Sequence, residues 1–145
     1  MKFYLDTNAI IYAVEANGTF GEPVQRLFEM ATQKGYSIVT SDITIAEILV
    51  KPTRDHNHLI LDIYARLLAN NGLVKRIPID VEILLNAASL QAHYGIKLVD
   101  SVHMATARAV EATHFVSDDR RLTSVIANSL SVAELGEHLA TLGIP

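Results

Sequence analysis

What most limits the fold of this chain is an alternation. Short apolar runs of strand-forming residues are separated by longer stretches whose apolar residues recur on helical spacing. Lys2-Phe3-Tyr4-Leu5 opens the series, Tyr36-Ser37-Ile38-Val39-Thr40 repeats it, and 73–77, 114–117 and 129–132 continue it. Between these runs Val24, Leu27, Phe28 and Ala31 fall at i, i+3, i+4 and i+7, the stripe of an amphipathic helix. Leu59/Ile60, Ile63/Tyr64 and Leu67/Leu68 repeat that spacing in a helix over 55–69. Strands that alternate with helices need crossover connections, and crossovers cover both faces of a parallel sheet. With 145 residues, half of them apolar, the chain is long enough for one core. The expected fold is a single α/β domain over 1–145, with three layers α/β/α around a central parallel sheet of about five strands.

Local punctuation supports the same outline. The helix after Asn8 is expected to stop at Asn17-Gly18, and Gly21-Glu22-Pro23 to open a second one that ends near Lys34-Gly35. Ser41 or Asp42 caps a helix to about Val50, with Pro52 marking its end. Asn70-Asn71-Gly72 breaks the next, Asp80 caps one that runs to Tyr94-Gly95, and further helices are expected over 98–110 and 133–142. No linker, repeat or low-complexity segment interrupts the chain.

Composition removes several function classes. Without cysteine there are no disulfides, thiolate metal sites or cysteine nucleophiles, which is compatible with a reducing cytoplasm. No signal-peptide pattern is seen, and no apolar stretch reaches the roughly 18 to 20 residues that cross a bilayer, so no membrane role is expected. Sixteen acids against twelve bases give a net charge of −4, with no basic face for generic nucleic-acid binding. A polyanionic substrate would have to be brought in by metal ions or local arginines.

The acids carry the chemistry. Asp6 ends the first apolar run at the carboxyl tip of its strand, where desolvating a carboxylate costs several kcal/mol unless a partner or metal compensates. Carboxyl ends of strands are also where open α/β sheets bind ligands. Glu47 lies in the second turn of the helix after the second strand, inside an otherwise apolar stretch. Asp100 falls in the first turn of the helix preceding the fourth strand, and Asp118-Asp119 follow that strand directly. Taken singly, Asp6 can be a cap, Asp100 a helix N-terminal charge, Asp118 or Asp119 a turn residue, and Glu47 a solvent-facing side chain. Taken together, they meet at one edge of the sheet, and carboxylates so gathered stay ionised only if cations neutralise them. Oxygen ligands without His or Cys suit Mg2+ or Mn2+.

Leu5-Asp6-Thr7-Asn8, the helix start Ser41-Asp42-Ile43-Thr44-Ile45-Ala46-Glu47, Val99-Asp100-Ser101-Val102-His103-Met104-Ala105-Thr106-Ala107 and Phe115-Val116-Ser117-Asp118-Asp119 together resemble the PIN (PilT N-terminal) ribonuclease family. Within it the small size is most similar to the VapC toxins of toxin–antitoxin pairs. The resemblance implies a metal-dependent endoribonuclease whose acids are Asp6, Glu47, Asp100 and Asp119, with Asp118 possible in place of Asp119. Ser117 stands where the family more often has Thr. With no Ser-His or Cys-His nucleophile recognisable, water is the expected attacking group, activated by one or two divalent ions. Asn8, Thr7 and Ser117 would hold ligands or water behind the acids. The implied partners are RNA, a small VapB-type antitoxin and a second copy of the chain.

Other readings stay open beside this one: a housekeeping PIN nuclease, a non-catalytic PIN scaffold, and a haloacid-dehalogenase-type phosphatase. The last needs a second Asp two residues after Asp6, where this chain has Asn8. His56-Asn57-His58 lacks the hairpin of the nuclease class whose name it spells. His103 lies one turn after Asp100, from where it can approach the site, and reads first as a partly buried structural histidine. Arg120 or Arg121 can pair with Asp119 or steer phosphate, while Lys51, Arg54, Lys75, Arg76, Lys97 and Arg108 read as solvated surface. Tyr64, Leu67 and Leu68 exceed what one core needs and suggest a dimer face or an antitoxin groove.

Overall fold

The computed structural model describes residues 1–16 and 20–143. The expected helix stop at Asn17-Gly18 lies outside them. In chain order the elements are β1 (Lys2–Leu5), α1 (Thr7–Glu15), α2 (Glu22–Lys34), β2 (Ser37–Ser41), α3 (Ile43–Arg54), α4 (His58–Leu67) and β3 (Val74–Ile77). Then follow α5 (Val81–Tyr94), α6 (Leu98–Ala109), β4 (His114–Val116), α7 (Arg120–Thr123), β5 (Ser129–Leu130) and α8 (Val132–Thr141). The strands form one sheet in the order β3-β2-β1-β4-β5, and every pair is parallel. From β1 the chain builds first to one side and later to the other, so the order reverses between β1 and β4. Crevices at such reversals are where open parallel sheets bind ligands.

Side-chain alternation along the strands separates two cores. Phe3, Leu5, Ile38, Val74 and Val116 face one way and pack with Ile10 of α1, Leu27 of α2, Tyr64 of α4 and Leu135 of α8. Tyr4, Val39 and Phe115 face the other way against Ala107 of α6 and Leu122 of α7. Outside α6 lies α5, whose Ile83, Ala87 and Leu90 meet Val102 and Ala105. Helix α6 is thus sandwiched, and every residue from 101 to 107 is buried. The three-layer α/β/α arrangement is as the alternation of runs predicts. Among the described residues no helix is long and apolar enough to cross a membrane.

The differences from expectation lie at element ends. Pro52 does not stop α3, which runs to Arg54 with the proline ring buried one turn from its end. A proline there loses one backbone bond, yet its carbonyl still accepts from Asn57 N–H at 2.9 Å. Helix α4 starts at His58 rather than 55, because His56 turns into the left-handed region at φ 52° and Asn57 caps the helix. Asp42 makes no capping bond; Ser41 Oγ accepts from Ile43 N–H at 3.2 Å, while Asp42 pairs with Arg76 at 2.7 Å. β5 is short because Ser131 leaves it to close a capping box with Glu134 at the start of α8. Tyr64 and Leu68 are not surplus, since both are buried in the chain's own core.

Gly21 marks the tightest joint on the α1–α2 side. A methyl group built on it would overlap the Tyr12 carbonyl. Gly21→Ala is expected to lose about 1–3 kcal/mol through forced backbone movement, read as a lower urea midpoint; an unchanged midpoint would show that the joint relaxes freely.

Candidate active site

Asp6 stands on the last rung between the two central strands. Its backbone N–H donates to the Val116 carbonyl at 3.1 Å, and one carboxylate oxygen caps α1 by accepting from Ala9 N–H at 3.0 Å. The side chain is only 5 % exposed. Burial pushes its carboxyl above the usual range, the Ser117 hydroxyl, the Ala9 N–H and the charge of His103 act against that, and Asp118 adds to it. Asp100, in the first turn of α6, is also held high, first by burial and then by the neighbouring charge of Asp119. Among the described residues neither Asp6 nor Asp100 has an ion-pair partner.

Glu47 and Asp119 behave in the opposite way. Burial raises the Glu47 carboxyl, but hydrogen bonds from His103 and Thr7 outweigh it and leave the group below its ordinary value. Glu47 Oε1 receives both: Thr7 Oγ1 lies at 2.5 Å and His103 Nε2 at 2.7 Å. Asp119 is lowered chiefly by Arg121, whose Nε and Nη2 reach its two oxygens at 3.3 and 3.0 Å. The pair also caps α7, a short helix absent from the sequence expectation. Asp118 serves α8 instead, accepting from Val132 N–H at 2.7 Å. Of the doubled aspartates, Asp119 is thus the one whose charge acts on Asp100, and Asp118 the one whose charge acts on Asp6.

His103, expected as a structural histidine, also reaches the acidic site. Its ring is 2 % exposed, with Nδ1 2.7 Å from the Tyr4 hydroxyl and Nε2 against Glu47 and Thr7. The phenol of Tyr4 is pushed far up by burial and remains an O–H donor. A carboxylate can only accept, so Nε2–H donates to Glu47, while Nδ1 and the Tyr4 hydroxyl share the other bond. A buried histidine is therefore also the residue that links the sheet to Glu47. The available signal was its position one turn after Asp100 on the same helix. Of the remaining expected residues, Thr7 bonds Glu47, Ser117 is buried and accepts from Asp119 N–H at 3.0 Å, and Asn8 is exposed in the first turn of α1.

Among the described residues no group of three or more His, Cys, Asp or Glu side chains is arranged to hold a metal ion. Like charges repel, and Glu47 and Asp119 have each taken protein donors. The donor chemistry nevertheless fits a hard divalent cation: carboxylate oxygens at one sheet edge, two of them on partly or fully buried acids that lack a basic partner.

Solved structures of the same fold include a toxin–antitoxin complex from Klebsiella pneumoniae, 18 % identical, covering 89 % of this chain and 96 % of its own at a TM-score of 0.65. Another is VapBC2 from Rickettsia felis bound to a DNA fragment from its promoter, 19 % identical over 90 % and 97 % at 0.68. A third is VapBC-1 from nontypeable Haemophilus influenzae, 18 % identical over 92 % and 99 % at 0.62. Among curated proteins none matches. At these identities the structural likenesses establish the fold. The sequence model of the PIN domain matches residues 3–128, a span that takes in all but the first residue of β1, the elements on to β4 and every candidate acid, and the chain belongs to the PIN domain family.

Proposed function

We propose that the chain is a divalent-metal-dependent endoribonuclease and the toxin of a toxin–antitoxin pair. The observation that carries the nuclease reading is the pairing of two acids held high by burial and without an ion pair, Asp6 and Asp100, with two held low by protein donors, Glu47 and Asp119, at the reversal point of a parallel sheet. Asp6 and Asp100 would hold Mg2+ or Mn2+, with Asp119, or Asp118 in its place, completing the set. When bound, the ion supplies charge stabilisation at the scissile phosphate and acidifies water. Glu47 orients the attacking water. Its Oε1 is filled by Thr7 and His103, which leaves Oε2 to accept the water's hydrogen. Ser117 and Thr7 fix the carboxylates from behind, and Asn8 faces the approaching strand.

The toxin reading is supported by the complexes in which the structural relatives were solved, and a small antitoxin protein is the partner it implies; a second copy of the chain is the other partner proposed. The chain is to be expressed alone and with its genomic neighbour, and RNA ends mapped with and without EDTA. Cleavage that EDTA abolishes and Mg2+ or Mn2+ restores, with growth arrest relieved by the neighbour, is the expected result. Cleavage indifferent to EDTA, or no cleavage, overturns the nuclease reading, and growth unaffected by expression overturns the toxin.

A further inference from the structure

Between α5 and α6 the chain turns through Tyr94, Gly95, Ile96 and Lys97, and α7 packs opposite this turn. A cavity of about 260 Å³ opens there with Asp100 in its wall, so it adjoins the acidic edge directly. It lies just under the roughly 300 Å³ at which pockets for drug-sized ligands begin, and its occupant is correspondingly small. Ile96 and Val125 give it an apolar side. Tyr94 contributes an aromatic ring, and the residue is 37 % exposed. Lys97 and Arg121 contribute cations whose charges act on both Asp100 and Asp119. Arg121 is engaged by Asp119, whereas Lys97 forms no ion pair among the described residues.

An aromatic ring, an apolar side and a cation in one small cavity are the elements that hold a single unstacked nucleotide. The chain's charge gives local contacts of this kind more weight: sixteen acids against twelve bases leave a net charge of −4, which does not favour generic binding of a polyanion. We propose that this cavity is the substrate-holding subsite, taking one splayed-out base of single-stranded RNA against Tyr94 with the adjoining phosphate on Lys97. The inference rests on the nuclease reading and adds to it the residues, Tyr94 and Lys97, that hold the substrate. Bases in an A-form duplex are stacked and paired inside the helix, so duplex RNA cannot fill the cavity.

The test uses the full chain carrying Asp6→Asn, which keeps the RNA intact, and the fluorescence anisotropy of a fluorescein-labelled single-stranded RNA octamer in Mg2+ buffer. Adding Tyr94→Leu is expected to weaken binding about tenfold, while Tyr94→Phe retains it. Lys97→Ala weakens binding several-fold and lowers the slope of log affinity against log salt by about 0.7. The octamer annealed to its complement binds more weakly than the single strand. In the chain with Asp6 intact, Tyr94→Leu raises KM with kcat retained. Octamer binding unchanged by both Tyr94→Leu and Lys97→Ala, or duplex bound as tightly as single strand, overturns the subsite. If EDTA-sensitive cleavage persists in that case, the nuclease reading stands without it. Absence of cleavage by the unsubstituted chain overturns that reading, and the subsite falls with it.

Discussion

Asp6→Asn is expected to abolish RNA cleavage while leaving the fold intact and its melting temperature at neutral pH equal or higher. The expected loss follows from the proposed role of Asp6, a charged ligand at the point where transition-state charge would be neutralised. Several kcal/mol of stabilisation correspond to about 10²- to 10⁴-fold in rate. The stability result follows from burial. The folded state holds the Asp6 carboxyl above its ordinary value, so it binds the proton more tightly than the unfolded chain does. Stability then falls as pH rises from the ordinary carboxylate range through the raised folded value, and at neutral pH the ionised group is a net cost. Asn removes that cost and keeps an oxygen for the Ala9 N–H. Two measurements check this: cleavage rate, and melting temperature against pH with and without Mg2+. The gap between variant and parent should close in acid, and Mg2+ should raise the parent's melting temperature more than the variant's. Undiminished cleavage, or a variant several degrees less stable at neutral pH, would remove Asp6 from this role.

The sheet, and the element that carries each acid, were legible because periodicity reports which side of an element meets the core. The run Phe3-Tyr4-Leu5 followed by a carboxylate placed Asp6 at the edge without further information, and the short connections around Ser41 and 111–113 did the same for Glu47 and Asp100. Periodicity says nothing about which polar atoms meet across the fold. Tyr4 and His103 are 99 positions apart and their bond depends on how deeply α6 is sandwiched. Nor could the doubled Asp118-Asp119 be resolved, since their separate duties depend on α7 and α8 starting where they do. Pro52 misled for a related reason: the rule that proline ends helices ignores a buried ring near the last turn.

His103→Ala is expected to damage stability severely. It empties a buried site beside Tyr4, which is 0 % exposed, and strands the Tyr4 hydroxyl. A cavity together with a buried unsatisfied group costs about 3–5 kcal/mol, seen in the denaturant midpoint. Tyr4→Phe, which strands only His103 Nδ1, should cost about 1–3 kcal/mol. Because the two side chains form one network, the double variant should be less damaged than the sum, by about 0.5–3 kcal/mol. The pH profile separates this from a packing effect. Without the His103 hydrogen bond, burial of Glu47 is less opposed and its carboxyl rises. A step that needs ionised Glu47 then fails at higher pH, so the acidic limb of cleavage moves upward in His103→Ala while the parent's stays low. The stability that the lowered Glu47 contributes, present above the ordinary carboxylate range and lost as pH falls, shrinks in the same variant. Additive stability losses with an unmoved acidic limb would mean that Tyr4, His103 and Glu47 do not act as a unit, and that Glu47 takes its position from Thr7 alone.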